Sequence, residues 1–210
     1  MKISIAEGLY LILIDDEEGR LLAAAEKRYI YGLLSAALFD LIFSKKLLLK
    51  EGKLQVLGHS GTANVVLDKV LKKVQSGTSF IEQISSMHDS FKHIKEDMDA
   101  LLVQRGILKR EETKLLWIPL SERMGNANYA FEQEIRNGLK AMVLQNAKAP
   151  KSFIVLLSLI YDCNILDEVF PERDDFIDAE KSAKDIVNRA AVDQEVGIVL
   201  IELRKFFANL

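Results

Sequence analysis

A single cysteine, Cys163, stands in this chain of 210 residues, so no disulfide framework can form within it. Three prolines and the lack of any stretch rich in Pro, Gly or Ser leave no linker. One domain, 1–210, is expected, and it is long enough to bury a core without metal or disulfide staples. Net charge is small as well: the formal value of −3 gives no general attraction to nucleic acid, and none is expected as a partner. The opening MKISIAEGLY lacks a basic region followed by a long apolar run and a small-residue cleavage site, which points to a reducing cytoplasm. Motifs for catalysis and metal binding also fail on spacing. Gly58-His59-Ser60-Gly61 is followed by Thr62 where a nucleophile elbow needs its second glycine. The acidic run Asp15, Asp16, Glu17, Glu18 has no later carboxylates at calcium-loop spacing and reads as a solvated turn closed by Gly19. Cys163 lies near Asp162 and Asp167, the wrong setting for a reactive thiolate, and reads as a small core residue. No catalytic residue, metal or cofactor is expected, and the chain is read as not an enzyme.

What is present is a set of apolar runs. In 29–50, YIYGLLSAALFDLIFSKKLLLK, the only formal charge between Tyr29 and Ser44 is Asp40, and apolar side chains fall on every side of a helical wheel. Such a helix has no solvent face, and this one is too short for a bilayer, so a buried central helix is predicted with 33–43 nearly inaccessible. The same reasoning makes 153–161 a second core helix and 196–207 a third. Asp193 caps the third, and Arg204 and Lys205 lie near its C-terminal end. The fold class expected is mainly α, a buried central helix bundle ringed by amphipathic helices, plus short β-hairpins.

Local signals place the other elements. Ser4 with Glu7, and Ser79 with Glu82, have capping-box spacing and predict helices beginning just after each serine. LLLKEGKLQVL predicts a hairpin over 47–57, with Gly52 in its turn. An outer helix over 64–74 buries Leu67, Val70, Leu71 and Val74. A longer helix over 90–104 turns Phe91, Ile94, Met98, Leu101 and Leu102 inward and ends at Gly106. Its three-residue step sets Lys92 and Lys95 on one outer face. A second hairpin is predicted over 107–118, with a charged turn at 109–113 and Pro119 ending it. Helices over 128–145 and 178–191 complete the ring, the first broken at Ala149-Pro150.

In this order the pattern resembles the Golgi phosphoprotein 3 family, whose members are peripheral membrane proteins. The resembling pieces are SIAEGLYLILIDDEEG, AALFDLIFSKKLLL, VVLDKVLKKV, LLVQRGILKREETKLLWIPL and LLSLIYDCNILDEVF, spread across most of the chain. The resemblance implies a non-enzymatic adaptor that binds phosphatidylinositol 4-phosphate through a basic pocket. In eukaryotic members that pocket uses a tryptophan and an arginine from the region ahead of the central helix, and two basic residues on the helix before the hairpin. The latter pair falls on Lys92 and Lys95, whereas the former positions fall near Ala25 and Leu34. Arg28 stands nearby as a replacement cation. A basic N-terminal tail found in eukaryotic members has no counterpart before the first helix, so the resemblance is to a prokaryotic, tail-less relative.

Two functions follow. In the first, Lys92, Lys95 and Arg28 receive an anionic, phosphoinositide-like phospholipid headgroup with weak or altered selectivity, and Leu115, Leu116 and Trp117 of the hairpin meet the membrane interface or a second copy of the chain. The protein is then cytoplasmic and peripherally membrane-associated. In the second, 90–105 is the recognition helix and 107–118 the wing of a DNA-binding regulator, although Glu96, Asp97 and Asp99 on that helix would repel phosphates.

Overall fold

The computed structural model describes residues 3–15, 19–115, 118–185 and 193–210; at 112–115 and 118–123 the description is of the backbone alone. The architecture is mainly α. Among the described residues there are nine α-helices and two antiparallel hairpins. One connected apolar cluster runs from Ile5 near the N-terminus to Phe207 near the C-terminus.

Helix α1, Ile5–Leu13, begins at the predicted capping box. Ser4 Oγ accepts from Glu7 N, and Glu7 Oε2 accepts from Ser4 N. Every residue of α1 is buried, so it is a core helix rather than an outer one. It packs on α2, Tyr29–Phe43, in which residues 32–39 and Leu41 are buried. Asp40, Ile42 and Phe43 are only half-buried, so the inaccessible stretch ends earlier than expected. The reason for Asp40 is specific: its two carboxylate oxygens accept from Ile5 N at 2.8 Å and Ala6 N at 2.9 Å, two of the unpaired amides at the N-terminus of α1. Burial raises its pKa to about 6 against the lowering effect of these bonds.

Strands β1, Leu47–Lys50, and β2, Lys53–Val56, form the first hairpin, with Glu51 and Gly52 both at positive φ as a two-residue turn of this type needs. Leu47, Leu49 and Leu54 point into the core. Asn64 caps α3, Val65–Leu71, and the second capping box starts α4, Phe80–Met87. The long helix expected from residue 90 is interrupted. A 3-10 turn spans His88–Phe91, and α5, Ile94–Gln104, starts only after Lys92 and His93. The five apolar residues assigned inward are all buried nonetheless.

The second hairpin is longer than predicted. Strand β3 is Leu108–Leu115 and β4 is Ile118–Asn126, so the charged residues taken for a turn are paired strand. In register, Glu111 lies opposite Arg123 and Glu112 opposite Glu122. Pro119 sits inside β4 opposite Lys114, where the register shifts between Thr113 and Lys114 and a proline is tolerated.

Asn128 caps α6, Tyr129–Leu144, and Pro150 precedes α7, Lys151–Asp162. Residues 154–160 of α7 are buried, while Phe153 and Tyr161 at its ends are half-buried. Helices α2 and α7 touch closely: a Cβ on Gly32 would stand 2.5 Å from Cys163 Sγ, so only hydrogen fits between them. The thiol itself is fully buried, and burial pushes its pKa up. Helix α8, Arg173–Asp185, starts five residues before the predicted onset, with Asp174 and Asp175 favouring its first turn. Helix α9, Gln194–Phe207, is capped by Asp193 as expected but is amphipathic rather than wholly buried. Ile198, Glu202 and Lys205 are exposed along it.

Candidate functional site

Lys95 lies in the first turn of α5, and its Nζ donates to Asp99 Oδ2 one turn later at 2.9 Å. Asp99 is buried, and its Oδ1 accepts from the hydroxyl of Tyr10, which is fully buried in α1. Burial and the neighbouring Asp99 push the Tyr10 pKa far up, which keeps the hydroxyl a donor. A polar chain thus leads from core to surface and ends at the Lys95 ammonium. There Lys95 lines an open hollow of about 320 Å³, shared with Arg20, Glu96, Asp99, Arg110 and Met124.

Three segments make this hollow. The chain after α1 supplies Arg20, and it packs against β4 at Gly19, where a side chain would collide with the Met124 backbone. The start of α5 supplies Lys95 and Glu96. The foot of β3 supplies Arg110, beside Lys109, which pairs with Glu111 at 2.9 Å. Three cations therefore meet two carboxylates, one of them already committed to Tyr10 and Lys95. An anionic group with several acceptor oxygens suits such a rim, because arginines offer forked donors and lysine a point charge.

Lys92 is exposed and pairs with Asp89 at 3.2 Å. It lies in the break before α5, so it and Lys95 are not on successive turns of one helix. Arg28 is elsewhere. It lines a second hollow of about 380 Å³ with Tyr161, Asp162, Glu180 and Arg204, and its Nη2 donates to the Phe207 carbonyl at 3.4 Å. The structure therefore does not bring Arg28 to the hollow that Lys95 lines. Leu116 and Trp117 lie outside the described residues, as do Asp16, Glu17 and Glu18; of Leu115 only the backbone, at the end of β3, is described.

The second hollow is organised by an ion pair. Arg204 Nε donates to Asp162 Oδ1 at 3.2 Å, and its Nη2 donates to Ser158 Oγ at 3.1 Å and the Ala183 carbonyl at 2.8 Å. Its guanidinium lies 5.0 Å from the Tyr161 ring centroid, in cation–π range. Asp162 Oδ2 is buried without a hydrogen-bond partner among the described residues. Burial raises the Asp162 pKa to about 6, with Arg204 acting in the opposite direction. Arg204 is thus turned sideways into the protein rather than serving the end of its own helix.

Residues 5–202, nearly the whole chain, match the sequence profile of the Golgi phosphoprotein 3 (GPP34) family. The chain belongs to that family. No curated protein matches it. At the two positions where the family's tryptophan and arginine are expected, Ala25 and Leu34 are fully buried and present no group to a ligand. Arg20 and Arg110 were not among the site residues expected from sequence; Arg110 was hidden because its segment reads as a turn. Among the described residues, no group of His, Cys, Asp and Glu could hold a metal ion, and no helix is long and apolar enough to cross a membrane.

Proposed function

We propose that this Golgi phosphoprotein 3 family member is a non-enzymatic peripheral membrane protein of the cytoplasm that receives an anionic, phosphoinositide-like headgroup at the hollow lined by Arg20, Lys95 and Arg110. The observation that carries the reading is the convergence of cations from three separate segments on one open hollow, in a chain whose net charge is −3. Lys92, three residues from Lys95 and exposed, is partly offset by its pair with Asp89 and can turn to an anionic headgroup in exchange for it. Binding is electrostatic and salt-sensitive, because exposed charges are screened within about 8 to 10 Å at physiological ionic strength. Selectivity for phosphatidylinositol 4-phosphate is weak, since the aromatic wall and its arginine are replaced by buried Ala25 and Leu34. Arg28 stays outside this reading, as does the hairpin tip, whether it meets lipid or a second copy. A DNA-binding reading gains nothing: α5 buries Ile94, Met98, Leu101 and Leu102 and presents Glu96 outward.

Liposome flotation tests the proposal, with phosphatidylcholine vesicles alone or carrying phosphatidylserine or phosphatidylinositol 4-phosphate. Lys92→Glu with Lys95→Gln should lower binding to both anionic mixtures by more than about tenfold, at about 1 kcal/mol per basic residue. Glutamine is chosen at Lys95 because a new carboxylate there would face buried Asp99. Undiminished flotation of this variant would remove the site from the hollow, and a mobility shift of DNA without flotation would replace the reading.

A further inference from the structure

The β1–β2 hairpin has one face in the core and one in water, and the outer face has an unusual make-up. Alternation turns Leu47, Leu49 and Leu54 inward, and the register sets Leu48 opposite Gln55 and Lys50 opposite Lys53 on the outside. The ladder continues through Leu57, whose N–H donates to the Lys46 carbonyl at 2.9 Å. Leu48 and Leu57 are 41% and 56% exposed, and they sit diagonally across the two strands, within reach of each other. Lysines bracket this pair, Lys45 and Lys46 at one end and Lys50 and Lys53 at the other.

Among the described residues, no ion pair is formed by Lys45, Lys46, Lys50 or Lys53. Two lysines directly opposite on one face repel, so the Lys50 and Lys53 pairing is locally unfavourable unless an anion sits over it. On β2, protection of an open sheet edge does not explain Lys53, because the outer edge of that strand is already covered. Leu54 N donates to the Thr78 carbonyl, Gly77 N to the Leu54 carbonyl, and Val56 N to Ser76 Oγ. The acidic groups nearby are few. Glu51 is exposed in the turn, Glu82 lies near Lys53, and Glu195, whose Oε2 accepts from Gly52 N at 3.1 Å, keeps its charge at the turn. Lys50 and Lys53 are thus offset in part, while no acidic group among the described residues is bonded to Lys45 or Lys46. Lys46 donates to neutral Ser60 Oγ, so its charge is not cancelled.

We infer that the outer face of the β1–β2 hairpin is a membrane contact surface for an anionic lipid bilayer, distinct from the headgroup hollow. Leu48 and Leu57 enter the interfacial region while Lys45, Lys46, Lys50 and Lys53 meet lipid phosphates. Lysine stems cover apolar surface and keep their ammonium groups at the polar boundary, which suits this geometry. Charge complementarity selects the occupant: a leucine pair ringed by like charge fits a surface that is both apolar at depth and negative outside. The inference shares the membrane as partner with the proposed function but does not use its site.

Leu57→Cys labelled with an environment-sensitive fluorophore reads the contact directly, because native Cys163 is fully buried and does not compete for the label. The label should shift to the blue on phosphatidylserine-containing vesicles and stay unchanged on phosphatidylcholine. Lys50→Gln with Lys53→Gln should weaken partitioning about 30-fold, at about 1 kcal/mol per lysine. Leu48→Gln, read with the label at residue 57, should diminish the blue shift. The same shift surviving in the Lys92→Glu, Lys95→Gln background would support the inference even if headgroup binding at the hollow fails. A label that stays unshifted on vesicles to which the protein still binds would overturn the inference and leave the hollow standing. A shift produced by polyglutamate and not by vesicles would overturn it in favour of an acidic protein partner.

Discussion

Asp40 and Asp162 each lie on a core helix, and burial raises each carboxyl to a pKa of about 6, yet they are held in opposite ways. Asp40 on α2 has both oxygens satisfied by the backbone amides of Ile5 and Ala6. Asp162 at the end of α7 has one oxygen on the Arg204 side chain and the other on no group among the described residues. The first carboxylate pins two helices together through donors that no side-chain substitution short of proline can delete. The second leans chiefly on a removable cation, Arg204, with Arg28 adding a weaker attraction; Arg204 also bonds Ser158 and Ala183 and so ties α9 to α7 and α8. A shared pKa therefore hides different fragilities. It is the balance between lost solvent and what replaces it, and the same balance is struck here by backbone donors in one case and by a cation in the other.

Removing the partner should separate the two most sharply. Arg204→Met leaves Asp162 buried without its main counter-charge, and a loss of about 3 to 5 kcal/mol is expected in denaturant unfolding. A loss under about 1 kcal/mol would mean that Asp162 is already neutral in the fold and that the pair does little. On the other side, Asp40→Ala strips acceptors from two amides at the start of α1 and should cost about 2 to 3 kcal/mol. Hydrogen exchange at Ile5 and Ala6 should quicken in that variant; unchanged exchange there would contradict the backbone-held description.

Asp162→Asn is the mildest change. The amide oxygen can still accept from Arg204, and the desolvation of a carboxylate disappears, so stability at pH 7 should stay within about 1 kcal/mol of the parent. Its pH profile is the sharper readout. An unfolded aspartate titrates near 3.9, so between about pH 4 and 6 the folded chain binds more protons than the unfolded one at this group. The contribution of Asp162 to stability thus falls as pH rises through that window. The parent should gain on the asparagine variant as pH drops from 7 to about 4.5, and a constant gap between them would place the Asp162 carboxyl at its ordinary pKa in the fold.

Much of the fold is written locally. Both capping boxes, the Asn64, Asn128 and Asp193 caps and the Gly52 turn occur where short-range pattern puts them. The errors arise where a tertiary neighbour supplies what the local sequence lacks. Lys109, Arg110, Glu111 and Glu112 read as a turn because no apolar alternation marks them, but opposing strand β4 pairs each of them. The wheel of α9 looked buried all round, yet Ile198 faces solvent with 42% of its surface exposed. The site was less legible still. Lys92 and Lys95 stand out only through the family resemblance, and Arg20 and Arg110 reach Lys95 from segments about 75 residues before it and 15 after it, a juxtaposition no spacing rule predicts. Asp40 could be seen as the sole charge in its helix, but its partners lie 34 and 35 residues earlier.

The contact between Gly32 and Cys163 has a consequence for the order in which this pair of helices can change. Because a Cβ at residue 32 would stand 2.5 Å from the sulfur, any larger residue there must wait until position 163 has shrunk. Cys163→Ala opens room first, and Gly32→Ala can then follow and even favour the helix, since alanine is the better helix former by about 1 kcal/mol. Taken in reverse, the first step wedges α2 from α7 at the centre of the core. The two positions thus form a one-way path: substitutions that are compatible together are reachable through one intermediate and blocked through the other.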